Sequence, residues 1–313
     1  MKKLRIATRE SPLALWQAEH VRDQLQQLYP ELAVELIGIS TQGDRVLDRP
    51  LSEIGGKGLF LKELEQQLLE QQLLDRSADI AVHSMKDVTI ELPAGLKLAV
   101  ILQRADPRDV LIANRYTTLS ELPEGSRIGT SSLRRQSQLR AKRPDLEVMN
   151  LRGNVGTRLR KLDNQEYDAI ILAAAGISRL LLDNRIGEYL SADFMLPAPG
   201  QGAIGIETRS DDPEIQQILQ PMNDPETVFQ LTAERAFSGR LYGGCQLPVA
   251  AYAEVSGNEL YLRGLVGSVD GSEIIAGEIR GGKNDAEHIG LQLAETLLQK
   301  GADRILQELT NGQ

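Results

Sequence analysis

The sequence predicts an α/β protein of three domains, in which two α/β domains precede a small C-terminal α+β domain. Three observations indicate this fold class. Short β-branched runs alternate with helical patterns over the first two thirds of the chain, as in α/β sheets. A crossing at about residues 102–108 and a second, proline- and glycine-rich crossing at about residues 195–202 divide that part in two. The remaining residues hold a run of strands between two helical patterns, and 313 residues suffice for two or three cores.

The first two domains are expected to contain parallel strands joined by helices. A helix is predicted over residues 11–29, because Ser11 suits the N-cap and Pro12 suits the first turn. Residues 203–207 form a predicted strand that returns to the first sheet. Domain 1 therefore covers residues 1–103 and 201–221, and domain 2 covers residues 107–196. The other predicted strands cover residues 4–8, 34–40, 79–84, 96–102, 127–129, 146–150 and 168–173.

The third domain covers residues 225–313. Two turn sequences, Gly257-Asn258 and Asp270-Gly271, predict hairpins between its strands. Its predicted elements are a helix over 227–239, strands over 249–255, 260–267 and 274–280, and a closing helix over 285–300.

A local duplication interrupts the first domain. The sequence LEQQL occupies residues 64–68 and is repeated at once over residues 69–73. Five additional helical residues add about 7.5 Å and rotate the following helix face by roughly 140°. A packed helix accommodates such an insertion by bulging or by letting the added turn overhang, so we interpret it as a local duplication rather than a functional repeat.

Composition disfavours several functional classes. No apolar stretch reaches the length of a transmembrane helix, and no apolar region follows the basic N-terminus, so we expect a cytoplasmic protein with no membrane partner. The single cysteine, Cys245, excludes an internal disulfide framework and fits a reducing cytosol. The three histidines lack metal-ligand spacing, so no metal site is expected.

A basic segment lies within this acidic chain. Residues 127–161 contain ten lysines or arginines against two acids, whereas the whole chain carries a net charge of −9. This contrast favours a pocket for a polyanionic ligand, and the alternative is a solvated helix face. The segment has no aromatic residue for base stacking, so nucleic acid is not an expected partner. The chain also lacks the GxxxxGK[ST] pattern of a phosphate loop.

The strongest site signal is the turn that follows the strand over residues 127–129. The backbone N–H groups at the start of the next helix, with Thr130, Ser131 and Ser132, would bind an anionic oxygen. Arg134 and Arg135 lie in the first helical turn, where cations oppose the helix dipole unless an anion compensates them. The alternative is ordinary capping with two exposed arginines.

The same arrangement recurs after two other strands. Arg152, Gly153 and Arg158 lie at a second strand–turn–helix junction, and Arg9 and Ser11 lie at a third. Ligands of α/β sheets bind outside the carboxyl ends of the strands. We therefore expect the three turns to converge on one crevice.

Two further parts of the sequence carry candidate residues for a chemical role. Ser84, Lys86 and Asp87 end a buried strand, where catalytic groups often lie, although a structural Lys86–Asp87 ion pair explains the pattern equally well. His83 is interpreted as a satisfied core or interface histidine without a catalytic role. Cys245 follows two glycines, which permit close approach to its sulfur and favour a covalent tether; the alternative is a small buried apolar side chain.

These residues together resemble the porphobilinogen deaminase family. The order of the matching stretches, over nearly the whole chain, is far more specific than any single motif. The stretches are RIATRESPLALWQA, TQGDRVLD, GGKGLFLKELE, ADIAVHSMKD, DPRD, GTSSLRRQSQL, LRGNVGTRLRKL, YDAIILAAAG, LPAPGQGA and GGCQLPV.

The resemblance implies a fold, a cofactor and an activity. The first two domains would be like those of type II periplasmic binding proteins, and the third would carry a dipyrromethane cofactor joined to Cys245 by a thioether. Four porphobilinogen molecules would be added head to tail to this primer with release of ammonia, and hydrolysis would free the linear hydroxymethylbilane. The family suggests a monomer whose partner is the small-molecule substrate.

The resemblance also assigns roles to individual residues. Asp87 would be the catalytic carboxylate that hydrogen-bonds to pyrrole N–H groups and stabilises the cation formed on loss of ammonia. Arg9, Arg152 and Arg158 would act in catalysis with it. The other matching residues would contact cofactor or substrate; they are Ser11, Asp44, Lys57, Ser84, Lys86, Thr130, Ser131, Ser132, Arg134, Arg135, Gly153, Arg179 and Gln201.

Three features depart from the family pattern. Glu53 stands where members often have a lysine near the cofactor acids. Thr89 replaces a proline that is common after the Lys-Asp-Val run, which is expected to loosen the loop after Asp87. The duplication at residues 64–73 lies between the Lys57 loop and the Asp87 strand. A non-catalytic solute-binding or sensor protein for a small carboxylate on the same scaffold is the alternative function.

Overall fold

The computed structural model describes residues 3–39, 57–241 and 247–311, with the backbone alone described for residues 57–65 and 309–311. The chain divides into two compact units. The first unit comprises Met1–Gln103 and Ala203–Asp224, and the second comprises Arg104–Gly202 and Pro225–Gln313. The division into three domains with the bounds given above stays a prediction.

The described residues form strands and helices in the following order. The strands are β1 (Lys3–Arg9), β2 (Ala33–Ile39), β3 (Ile80–Ser84), β4 (Leu96–Ile101), β5 (Asp109–Ala113), β6 (Arg127–Gly129), β7 (Glu147–Met149), β8 (Ala169–Ala173), β9 (Glu188–Leu190), β10 (Ile204–Arg209), β11 (Val249–Ser256), β12 (Glu259–Gly267) and β13 (Ile274–Gly282). The α-helices are α1 (Pro12–Leu28), α2 (Lys57–Leu74), α3 (Leu133–Lys142), α4 (Val155–Asp163), α5 (Ala174–Arg179), α6 (Pro213–Leu219), α7 (Pro225–Arg240), α8 (Ala286–Leu297) and α9 (Asp303–Asn311). Within the described ranges, every helix is too short or too polar to cross a membrane.

The first unit is built on a five-stranded sheet in the order β2-β1-β3-β10-β4. Its strand β1 is covered on both faces. Ile6 belongs to a core cluster with Val21 and Leu25 of α1, whereas Ala7 on the opposite face clusters with Leu73 of α2. Because β1 runs parallel to both β2 and β3, the carboxyl ends of these three strands lie at one edge of the sheet.

The second unit contains a sheet of the same plan, in the order β7-β6-β8-β5-β9. Strand β5 is buried on both faces. Val110 and Ile112 cluster with Leu159 of α4, while Leu111 clusters with Leu139 of α3 on the other side. In each five-stranded sheet, one antiparallel strand lies second from an edge. The turns after β6 and β7 therefore occupy positions equivalent to those after β1 and β2.

The second unit also contains the antiparallel sheet β11-β12-β13. Phe237 of α7 packs against this sheet at Gly264, where an added Cβ would lie 2.5 Å from the Phe237 Cζ atom. The predicted hairpins are confirmed: Gly257 and Gly271 occupy the connections with φ of 61° and 75°. The α/β class with a small C-terminal α+β part is thus confirmed by the three sheets.

The sequence prediction of strand direction was wrong in part. The sheets are mixed rather than parallel, because β10 runs antiparallel to β3 and β4, and β5 runs antiparallel to β8 and β9. Hydrophobic patterning sets which residues are buried, not the direction in which a strand runs. The return of residues 203–207 to the first sheet is confirmed as β10, whereas β5, β9 and α9 were not predicted.

The duplicated segment is accommodated within the continuous helix α2. Its second copy contributes to the core, where Leu69 is 2% exposed and Leu73 is fully buried. Leu68, at the end of the first copy, is 37% exposed. The second copy therefore anchors α2 against the sheet of the first unit.

Candidate functional site

The first unit brings three predicted site residues to one edge of its sheet. Arg9 is the last residue of β1, and Ser84 is the last residue of its parallel neighbour β3. Ser11 occupies the N-cap position of α1, but its hydroxyl makes no capping hydrogen bond. Gln17 Nε2 donates to Ser84 Oγ at 2.7 Å, and this contact fixes the end of β3 to α1.

Lys86 and Asp87 lie in one turn of 3-10 helix directly after β3. Met85 anchors this turn: its side chain is 2% exposed and its N–H donates to Ala203 O at 3.0 Å. A Cβ at Gly205 on the adjacent β10 would clash with the Met85 sulfur. The turn is therefore held against β10 by Met85, while Lys86 and Asp87 remain partly exposed.

His83 is a satisfied core histidine, as interpreted from the sequence. Its Nε2 lies 2.9 Å from Glu207 Oε2 on the neighbouring strand, and both side chains are buried. His83 directly precedes Ser84 in β3, and Glu207 lies on the adjacent strand β10, so the pair is inside the sheet. It therefore supports the end of β3 rather than forming part of its exposed edge.

In the second unit, the predicted hydroxyl residues follow β6 at the start of α3. The N–H of Thr130, which is 2% exposed, donates to Met149 O at 2.9 Å. Ser131 Oγ donates to Leu151 O at 3.0 Å. Ser132 is the N-cap residue of α3, and its Oγ accepts from Arg135 N at 3.5 Å. These contacts give the turn after β6 a defined conformation.

Arg134 and Arg135 are buried and share one internal carboxylate. Arg134 Nη1 lies 2.8 Å from Asp109 Oδ2, and Arg135 Nη2 lies 2.7 Å from Asp109 Oδ1. Burial alone would raise the pKa of Asp109, but the two guanidinium groups lower it well below its ordinary value of 3.8. Burial lowers the pKa of Arg134 despite the attraction of Asp109. Two cations and one anion leave a single positive charge on these three side chains.

Gln201 joins the same cluster from the second crossing. Its side chain is 1% exposed, and Nε2 donates to Asp109 Oδ1 at 2.9 Å and to Pro107 O at 2.6 Å. Arg134 also donates to Leu196 O at 2.7 Å. The Asp109 carboxylate therefore links α3 to Gln201 of the second crossing, and Gln201 in turn contacts Pro107 of the first crossing within the second unit.

The turn after β7 depends on a glycine. Gly153 has φ of 117°, and a Cβ there would lie 2.7 Å from Thr157 Cγ2. Asn154 caps α4 by accepting from Thr157 N at 2.9 Å, and Arg158 Nε donates to Gly153 O at 2.7 Å. Arg152 is exposed and Arg158 is partly buried. The two predicted catalytic arginines thus flank one conformationally fixed turn.

Arg179 is the last residue of α5 and is 8% exposed. Its Nη2 donates to Gly202 O at 2.7 Å. Burial lowers the pKa of Arg179 to about 10. A carboxylate brought to this guanidinium would offset part of that desolvation.

Four of the residues named from the sequence have no described side chain. Asp44 and Cys245 lie outside the described residues, as does Glu53. Lys57 is the first residue of α2, and only its backbone is described. Their assigned roles therefore stay predictions.

Sequence reasoning missed Asp109, the anion that compensates Arg134 and Arg135. The signal was present, because Asp109 opens the apolar strand Asp109–Ala113. A fully buried carboxylate requires a cationic partner or hydrogen-bond donors. A buried acid at the start of a strand and two arginines at the start of a helix could therefore have been paired.

The donor set fits a ligand with several carboxylates. Guanidinium groups bind carboxylates through paired N–H donors, and the N-termini of α3 and α4 add backbone N–H groups at the same strand ends. The cluster around Asp109 keeps one uncompensated positive charge. This chemistry matches the acetate and propionate groups of a dipyrromethane.

Two family models match the chain. Residues 4–217 match the porphobilinogen deaminase dipyromethane cofactor binding domain. Residues 228–299 match the porphobilinogen deaminase C-terminal domain. The two matches together cover nearly the whole chain.

Solved structures with low sequence identity also match. A periplasmic substrate-binding protein of an ABC transporter from Coxiella burnetii is 16% identical, covers 71% of this chain and 92% of its own, and has a TM-score of 0.43. The methionine-binding protein MetQ is 14% identical, covers 72% and 92%, and has a TM-score of 0.44. The periplasmic VFT2 domain of Bordetella pertussis BvgS is 17% identical, covers 70% and 85%, and has a TM-score of 0.39.

Proposed function

The chain belongs to the porphobilinogen deaminase family, and on this basis we propose that Asp87 stabilises the reacting cation while the arginines bind the pyrrole carboxylates. The activity is that of hydroxymethylbilane synthase. Four porphobilinogen molecules are condensed head to tail with release of ammonia, and hydrolysis frees the linear tetrapyrrole. The observation that carries the residue assignment is the buried cluster of Arg134, Arg135 and Asp109, which retains one positive charge.

Asp87 acts through its charge. Loss of ammonia from porphobilinogen leaves positive charge on the ring nitrogen, and a fixed carboxylate near that nitrogen lowers the energy of the transition state. Preorganisation is supported by the buried Met85 and its hydrogen bond to Ala203 O. Lys86, in the same turn, and Ser84 before it supply polar contacts to substrate.

The arginines and hydroxyl groups bind and orient carboxylates. Arg9 and Ser11 do so in the first unit. Arg152 and Arg158 flank the Gly153 turn of the second unit and act with Asp87 in catalysis. The supporting residues of the second unit are Thr130, Ser131, Ser132, Arg134, Arg135, Arg179 and Gln201.

The cofactor is dipyrromethane, held covalently. When bound, it supplies the free pyrrole end to which substrate units are added. Cys245 is proposed to hold it by a thioether, and Asp44 and Lys57 are proposed to contact it, on the resemblance alone. The arginines of the second unit are suited to its acetate and propionate groups.

A monomeric state and a cytoplasmic location complete the proposal. The single cysteine suits a reducing compartment. The acidic net charge of −9 and the absence of aromatic residues from the basic segment favour a small-molecule partner over nucleic acid. No membrane partner is proposed.

Ammonia release from porphobilinogen tests the function. The proposal requires many turnovers per protein molecule, together with formation of a linear tetrapyrrole. The alternative, a non-catalytic binder for a small carboxylate, requires at most stoichiometric binding without ammonia release. Absence of turnover by protein that carries the pyrrole primer would reject the enzyme assignment.

A further inference from the structure

Two unusual features of the sequence meet in the first unit. Gln66 belongs to the first LEQQL copy and Glu70 to the second, and Thr89 lies two residues beyond Asp87. Gln66 Nε2 lies 2.7 Å from Glu70 Oε1 and 3.1 Å from Thr89 Oγ1. Thr89 Oγ1 in turn lies 2.7 Å from Glu91 O. The duplicated helix and the loop after Asp87 are therefore joined by side chains.

The hydrogen-bond directions are mutually consistent. The Gln66 amide nitrogen has two hydrogens, so it can donate to Glu70 and to Thr89 at the same time. The Thr89 hydroxyl accepts one of these bonds and uses its own hydrogen to donate to Glu91 O. The two amide hydrogens of Gln66 and the hydroxyl hydrogen of Thr89 thus each have an acceptor.

The helix end of the connection is rigid. Gln66 is 8% exposed and Glu70 is 5% exposed, while Leu69 and Leu73 hold the same stretch of α2 in the core. The pKa of Glu70 is raised above its ordinary value, chiefly by burial, and the hydrogen bond from Gln66 offsets part of this increase. Because Gln66 is held by this buried carboxylate, its other N–H is directed at a fixed place.

The loop end of the connection lies at Thr89. Thr89 is exposed and begins the segment that leaves the 3-10 turn of Asp87. Met85 and Val88 are buried at the two ends of that turn, and Thr89 adds a side-chain hydrogen bond to α2. A contact at Thr89 therefore restrains the turn on its carboxyl side.

We propose that Gln66 is a positioning residue for Asp87, acting through its hydrogen bond to the Thr89 hydroxyl. The duplicated segment thus supplies, through a side-chain contact, a restraint on the loop that follows Asp87. This inference rests on the proposed catalytic role of Asp87. It involves no contact between Gln66 and substrate.

The test compares matched variants of the full-length protein. Gln66→Met removes both amide N–H donors and keeps a side chain of similar length. Gln71→Met is the control, because Gln71 is the equivalent residue of the second copy and its side chain is exposed. Thr89→Val removes the hydroxyl with little change of shape, and Thr89→Ser keeps it.

The expected outcome separates positioning from general stability. Gln66→Met and Thr89→Val should each lower kcat about threefold to tenfold, with KM for porphobilinogen changed less than kcat, because each removes the hydrogen bond between Gln66 and Thr89. Thr89→Ser and Gln71→Met should keep kcat near the wild-type value. The double variant Gln66→Met/Thr89→Val should be no slower than the slower single variant, because both remove the same contact.

Amide hydrogen exchange supplies a readout that does not need turnover. Exchange of the peptide over residues 85–91 should become faster in Gln66→Met and Thr89→Val, and exchange over β12 should stay unchanged. Equal exchange and equal kcat in Gln66→Met and Gln71→Met would overturn the inference. Lack of ammonia release by the wild-type protein would instead reject the proposed function, and exchange would still decide whether Gln66 restrains the turn.

Discussion

Arg135 Nη2 lies 2.7 Å from Asp109 Oδ1, and both side chains are buried in the second unit. The sequence placed Arg135 in the first turn of a helix, where a cation opposes the helix dipole and an anion would compensate it. The structure shows that the protein supplies such an anion itself, from the first residue of β5. Because Arg134 shares the same carboxylate, one acid serves two cations, and the three side chains together carry one positive charge.

Replacing Asp109 should destabilise the fold. Asp109→Asn keeps the side-chain shape but leaves two buried guanidinium groups without a carboxylate, so we expect a loss of about 3–5 kcal/mol in the free energy of unfolding. Denaturant unfolding of the two proteins measures this difference. Asp145→Asn is the matched control. Asp145 pairs with Arg143 at a more exposed position, so this substitution should change the free energy of unfolding only slightly. Equal stability of the two variants would contradict this account.

The same variant has a characteristic pH dependence. A carboxylate whose pKa is lowered in the folded state contributes stability that is present above its ordinary value of 3.8 and is lost as the pH falls toward the folded value. The difference in unfolding free energy between wild type and Asp109→Asn should therefore be constant near neutral pH and narrow below about pH 4. A difference that widens on acidification would show that the carboxylate is not the source of the effect.

Asp87→Asn tests the electrostatic account of catalysis. The variant should retain the wild-type Tm, because Asp87 lies in a partly exposed turn, and should lose about 100-fold or more in turnover, since the amide cannot stabilise a developing cation. Ammonia release and thermal unfolding are measured on the same preparation. Asp75→Asn, a change in an exposed loop of the same unit, is the control and should leave both values unaltered. Near-normal turnover of Asp87→Asn would refute the assigned role.

Two glycines of the Arg152–Arg158 turn should respond in opposite ways to alanine. Gly153→Ala places a side chain at φ of 117° and against Thr157, so it should cost about 1–3 kcal/mol of stability and disturb both flanking arginines. Gly156 lies inside α4, and a Cβ there would be 3.6 Å from Asn154 Oδ1, an ordinary contact. Gly156→Ala should therefore be neutral or stabilise the protein by up to about 1 kcal/mol. Thermal unfolding of both variants checks the contrast, and a similar loss in both would show that backbone conformation is not the cause.

Much of this fold could be predicted from local patterns. The helix after Ser11-Pro12 and the hairpins at Gly257 and Gly271 were set by residues close in sequence. The directions of β5 and β10 could not be predicted, because the alternation of apolar and polar residues is the same for a parallel and an antiparallel strand. The three-residue strand β9 was too short to give a pattern at all.

The site residues also divide into those that local sequence locates and those that depend on contacts distant in the chain. The strand–turn–helix junctions placed Arg9, Thr130 and Arg152 at or after strand ends, as the structure has them, because strand ends are recognisable from sequence. The pairing of Asp109 with Arg134 was not, since the two residues are distant in the chain and nothing local connects them. The contact between Gln66 and Thr89 is of the same kind. Long-range side-chain pairs thus required the structure.

The most direct test of the central claim is the intact mass of the purified protein, followed by peptide mapping. The account predicts an excess mass of two linked pyrrole units on the peptide that contains Cys245, growing by further pyrrole units on incubation with porphobilinogen. Cys245→Ser should lack this addition. A bare Cys245 peptide that stays unchanged after incubation with porphobilinogen would contradict the account.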